Sequence, residues 1–191
     1  MVEISGKYKI GTRRFGSINW IGAWTLYKKE VLRFLIVWIQ TLLSPLITSL
    51  LFLSVLSLAI GNDRGDVLGV PFIVFLAPGL IAMQIIQQAF SHSSSSFMIG
   101  KIQGNIVDLV YAPLSAGEVT LAITLASVTR SVLIAIISIL VFYFFINFEI
   151  KNFITLIAFT FLSAFSLGAL GIIAGLWAEK FDHMATVTNF I

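Results

Sequence analysis

The sequence of 191 residues contains no cysteine, which excludes a disulfide framework, thiolate zinc sites, iron–sulfur ligation and cysteine nucleophiles together. Its two histidines, His92 and His183, supply a histidine-based metal centre poorly, so neither a metal nor a cofactor is expected. The phosphate-cradling pattern GxxxxGK[ST] is missing, as are HExxH and GxSxG, and no pair of carboxylates falls inside an apolar run. Nothing reads as catalytic, and the chain is expected to hydrolyse no ATP of its own. Charge is scarce as well: 11% of residues carry one, against about 25% in a soluble domain. With 58% hydrophobic residues and a mean hydropathy of +1.00, the chain holds more apolar side chain than a water-soluble fold of this length can hide.

The charge that is present lies unevenly. Residues 1–33 set Lys7, Lys9, Arg13, Arg14, Lys28, Lys29 and Arg33 against Glu3 and Glu30, a net of +5, and the remainder sums to −2. Such an arm suits either an anionic polymer or the basic flank that stays in the cytoplasm when a membrane protein inserts. The uncharged stretches that follow select the second, so no nucleic-acid partner is expected. The first twenty residues lack an apolar core of the kind a cleavable signal peptide carries.

Phe34 to Asn62 contains no charge, and at ~1.5 Å per residue about 20 residues cross ~30 Å of hydrocarbon. This predicts a first span at about residues 34–60, kinked at Ser44-Pro45. A turn-rich Asn62–Asp66 leads to a second span at about 72–90. Residues 91–118 form a polar intermission with Ser93-Ser94-Ser95-Ser96, Lys101, Asp108 and Pro113. Inside it Met98, Ile102, Ile106, Leu109 and Val110 recur at amphipathic helical spacing. A membrane-surface helix and a docking helix for a cytoplasmic partner fit that spacing equally. A third span at about 119–146 contains Arg130. A mid-bilayer arginine is functional by default, but residues 131–148 are uncharged and long enough for the side chain to snorkel or pair in the interior instead. The fourth span, about 153–178, carries Gly168, Gly171 and Gly175, a close-packing signal. An incomplete fifth span begins at about 184.

The fold class is therefore all-α: a polytopic helical membrane protein with an N-terminal interfacial helix around Trp20 and Trp24, four transmembrane helices and the start of a fifth. It divides into a basic arm with interfacial helix, 1–33, and a transmembrane domain, 34–191. Alternation of the flanks puts the N-terminus in the cytoplasm. Polar residues inside the spans gather in two groups: Gln40, Ser44 and Thr48 share one helical face, and Gln84, Gln87 and Gln88 cluster in the second span. Interhelical hydrogen bonding and a path for an amphiphilic substrate both fit them, with Arg130. Ion-coupled secondary transport would call for acids within spans, whereas Asp63, Asp66, Asp108, Glu118, Glu149, Glu179 and Asp182 lie at or near loops.

The basic arm, the Ala77-Pro78-Gly79 break in the second span, the stretch from Asp108 through Ala112-Pro113-Leu114-Ser115 to Glu118, and Gly175-Leu176-Trp177-Ala178-Glu179-Lys180-Phe181-Asp182 resemble the ABC-2 type permeases of bacterial ATP-binding-cassette exporters. The resemblance implies a six-helix subunit whose segment between the second and third spans is a coupling helix. Met98, Lys101, Gln103, Asn105, Asp108, Ala112, Pro113 and Glu118 would then meet a separate cytoplasmic ATPase. It further implies two permease copies with two ATPase copies in a bacterial inner membrane, moving a drug, lipid or lipid-linked glycan outward by alternating access. Members ordinarily continue for a re-entrant segment and a last helix, so the chain is expected to be truncated at its C-terminus. The alternative is a small polytopic scaffold or assembly protein without transport activity.

Overall fold

The computed structural model describes residues 18–60, 65–146 and 152–189. The basic arm of residues 1–17 and the loops at 61–64 and 147–151 lie outside the described residues. The described residues fold into helices: α1 (Trp20–Ile36), a π-helical turn (Ile39–Leu43) leading directly into α2 (Ser44–Ile60), α3 (Phe72–Ile102), α4 (Ile106–Tyr111), α5 (Ala116–Phe145), α6 (Phe153–Trp177) and α7 (Phe181–Asn189). Four are long and apolar enough to cross a membrane: Ile39–Ala59, Phe72–Ile102, Ala116–Phe145 and Phe153–Trp177.

Local chemistry sets the helix ends. Asn19 caps α1 by accepting from Gly22 N at 3.0 Å, and Asn152 caps α6 by accepting from Thr155 N at 3.1 Å. Ser115 and Glu118 form a reciprocal capping box at the start of α5, with Ser115 N donating to Glu118 Oε2 at 2.6 Å and Glu118 N donating to Ser115 Oγ at 3.3 Å. At Pro45 the missing N–H deprives the Thr41 carbonyl of its usual partner, and the chain takes up the π-helical turn immediately before it.

α3 departs most from expectation. It runs unbroken through Pro78 and does not stop near residue 90, extending for 31 residues, or about 46 Å. The serine run continues the helix because its hydroxyls turn back onto the preceding turn, as Ser94 Oγ does to Phe90 O at 2.7 Å and Ser95 Oγ to His92 O at 3.0 Å. The run is small rather than loop-forming: Ser93 and Ser94 are fully buried where α3 meets α6. There the glycine stripe of α6 leaves no room for a side chain. A Cβ on Gly171 would stand 2.5 Å from Phe90 O, and one on Gly175 would stand 2.7 Å from Ser94 O. Gly168 is closed off in the same way by Ser127 of α5.

Just past the end of α3 stands Gly104, whose φ of +75° is open to glycine and costly to other residues. The apolar positions from Met98 to Val110 are thus not one amphipathic helix. Met98 belongs to α3 and is buried with Phe90, Ala178 and Met184, while Ile106 to Val110 belong to the separate α4. The main core, including Leu53, Ile81, Ala89, Phe142 and Ala164, joins α2, α3, α5 and α6. α1 seals a second cluster through Leu26 against Phe97, Ile123 and Ile172, with Trp20 and Trp24 left exposed.

Candidate functional site

A cavity of about 540 Å³ opens between α2, α3 and α5. Helical spacing builds it. Gln40, Ser44 and Thr48 stand one turn apart along the first span, Gln84, Gln87 and Gln88 line the facing side of α3, and Arg130 closes it from the midpoint of α5. All seven polar residues singled out from the spans line this one space, together with Thr41, Ser49, Phe52, Leu80 and Met83.

Gln84 ties its walls together. Its Nε2 donates to Pro45 O at 3.0 Å, and its Oε1 accepts from Ser138 Oγ at 2.7 Å, so one buried amide joins α2, α3 and α5. Arg130 Nη2 donates to Gln88 Oε1 at 2.6 Å, and its Nε is buried without a partner. The guanidinium is therefore held across the bundle by an amide. Among the described residues Glu30 pairs with Arg33 and lies 3.8 Å from His92 Nε2, and Arg130 takes part in no ion pair. Arg130 is the charged residue of the lining. Phe52, Leu80 and Met83 add apolar surface to this polar lining.

Residues 98–118 divide into two sets. Met98 is completely buried. Lys101 Nζ donates to Leu176 O at 2.5 Å and Ala178 O at 2.9 Å, completing the C-terminus of α6 with a cation where the helix dipole favours one. Glu118 is buried, and its Oε1 accepts from Asn19 N at 2.5 Å. Asn19 Nδ2 in turn donates to Pro113 O at 3.2 Å. Met98, Lys101 and Glu118 are thus engaged within the chain. Gln103, Asn105, Asp108 and Pro113 are exposed, and Ala112 is half-buried. Of the apolar part of that surface, sequence reasoning had Val110 in the amphipathic spacing and passed over Tyr111: Val110 is 75% and Tyr111 84% exposed, two adjacent apolar residues on a six-residue helix that has no buried member.

A second polar cluster was also missed. Glu30 is buried on α1 beside Arg33 at 3.0 Å and His92 Nε2 at 3.8 Å. Arg33 Nη2 donates to His92 O at 3.2 Å, fastening α1 to α3. The available signal was the i, i+3 spacing of Glu30 and Arg33 on an otherwise apolar helix face. Among the described residues no three of His, Asp and Glu gather where a metal ion could be held.

The chain is 30% identical over 174 residues, 91% of its length and 68% of theirs, to the inner membrane transport permease YadH of Escherichia coli strain K12, of Escherichia coli O157:H7 and of Shigella flexneri. No solved structure matches it. Residues 22–191 match the family described as ABC-2 type transporter. With four membrane-length helices and a match running from α1 onward, the chain belongs to the ABC-2 type transporter family.

Proposed function

We propose that the chain is the permease subunit of an exporter that moves an amphiphilic molecule, a drug, lipid or lipid-linked glycan, out of the cytoplasm by alternating access. A separate cytoplasmic ATPase supplies the energy. The observation that carries this is the cavity between α2, α3 and α5, with its polar wall in an otherwise apolar bundle. Seven polar side chains line that one space, with Gln84 buried and Gln87, Gln88 and Arg130 half-buried, a desolvation cost that a scaffold has no reason to bear. The surface from Gln103 to Pro113 is the docking site for the ATPase, through its exposed amides, Asp108, Val110 and Tyr111. Two copies of the chain pair with two ATPase subunits, α1 and α4 face the cytoplasm, and the protein resides in a bacterial inner membrane, as the names of its relatives suggest.

The test is reconstitution of the full-length permease with its ATPase in nanodiscs, reading ATP hydrolysis against a panel of amphiphiles. Stimulation is expected in the wild type, and filling the cavity with Met83→Trp should abolish it while leaving the basal rate. Stimulation that survives the filled cavity would refute the assignment.

A further inference from the structure

We propose that the head group accepted by this cavity is anionic, so that the transported amphiphile bears a phosphate, sulfate or carboxylate. The proposal rests on the reading of the cavity as the substrate path. Its foundation is the state of Arg130. The side chain is half-buried and lines the cavity at the midpoint of a membrane-length helix. Its hydrogen bond goes to a neutral amide, Gln88, and its Nε is buried and unpartnered. No carboxylate lines the cavity. Glu30, buried on α1, is paired with Arg33 and lies close to His92.

A cation removed from water without a counter-ion is strongly disfavoured, and more so in a membrane interior. Folding leaves this guanidinium an incomplete set of acceptors, and an oxyanion completes it. The planar fork of an arginine matches phosphate and carboxylate in two-point geometry. The surroundings agree. Gln40 and Gln87 line the same cavity with amide donors that can reach oxyanion oxygens without bringing a competing charge. Leu80 and Met83 offer apolar surface to the chain attached to the head group. A cationic amphiphile meets like charge here, and a neutral one leaves the guanidinium unpaired.

The experiment uses the full permease–ATPase complex in phosphatidylcholine nanodiscs, with ATP hydrolysis as the readout. The probes are hexadecyl phosphate, hexadecyl maltoside and hexadecyltrimethylammonium, which share a chain and differ in head-group charge. Hexadecyl phosphate should reach half-maximal stimulation at a concentration about tenfold below either of the others, roughly the ratio one charge-assisted hydrogen bond produces. Arg130→Gln should raise that concentration to the level of the maltoside, Arg130→Lys should keep part of the preference, and Arg130→Glu should transfer it to the cation. Equal response of the wild type to all three probes overturns the charge assignment while leaving the cavity as the substrate path. Response to none overturns both. Inorganic phosphate alone should not stimulate, and if it matches hexadecyl phosphate the amphiphile assignment falls. With phosphatidylglycerol in the discs, competition against hexadecyl phosphate makes bilayer lipid the source of the anionic head group, and retained stimulation makes it a dedicated substrate.

Discussion

Gln84 illustrates how much one side chain inside a bilayer-length bundle can settle. Its amide has a partner on each side, Pro45 O of α2 and Ser138 of α5, so Gln84→Leu removes two interhelical bonds and leaves a carbonyl and a hydroxyl without them. The expected loss is about 1–3 kcal/mol of stability, read as a lower melting temperature in detergent. Ser138→Ala removes one bond and should cost about 1 kcal/mol or less. Glu30→Ala leaves Arg33 without its carboxylate and should cost about 2 kcal/mol or more. The polar residues of the spans were legible in the sequence because helical periodicity alone puts Gln40, Ser44 and Thr48 on one face. Which neighbour that face meets is not a property of the periodicity. For the same reason Lys101 and Glu118 read as surface charges: their partners, the carbonyls of Leu176 and Ala178 and the amide of Asn19, stand 75 to 99 residues away along the chain.

At the scale of elements, the spans after the first were legible to within a few residues wherever charge bounded them, and misjudged where small polar residues did. Serine favours loops and caps when water competes for its backbone, but inside a bundle its hydroxyl satisfies itself on the preceding turn and its size becomes the useful property. α3 and α6 are the test. Gly171→Leu forces a side chain into the Phe90 carbonyl and should separate the helices, lowering thermal stability by several degrees. Ser94→Ala keeps the size and should be close to neutral, whereas Ser94→Leu should behave like the glycine variant. Gly104→Ala imposes a side chain on a φ of +75° and should cost about 1 kcal/mol, with the loss confined to the α3–α4 turn in hydrogen exchange.

For the whole molecule, composition was enough to reach an all-α membrane protein, since a mean hydropathy of +1.00 over 191 residues leaves few other solvents. It could not separate a transporter from a scaffold, because both are apolar. That distinction comes from the match of residues 22–191 to the ABC-2 type transporter family and from the transport permeases the chain is similar to. Tyr111→Ala combined with Asp108→Arg should release the ATPase during copurification while leaving the permease as stable as before, because neither residue is buried.

The unbroken course of α3 has a mechanical meaning. Gln88 at the cavity and Ile102 at the turn before α4 lie on one continuous helix, about 21 Å apart along its axis, with the hydrogen-bonded backbone as the strut between them. Over that length α3 is seated on the glycine stripe of α6, and Lys101 near its end is hydrogen-bonded to the last carbonyls of α6. We infer that a displacement of the turn would carry α3 and α6 together and reach the amides of the cavity wall, because no break in the helix lies between Ile102 and Gln88 to absorb it.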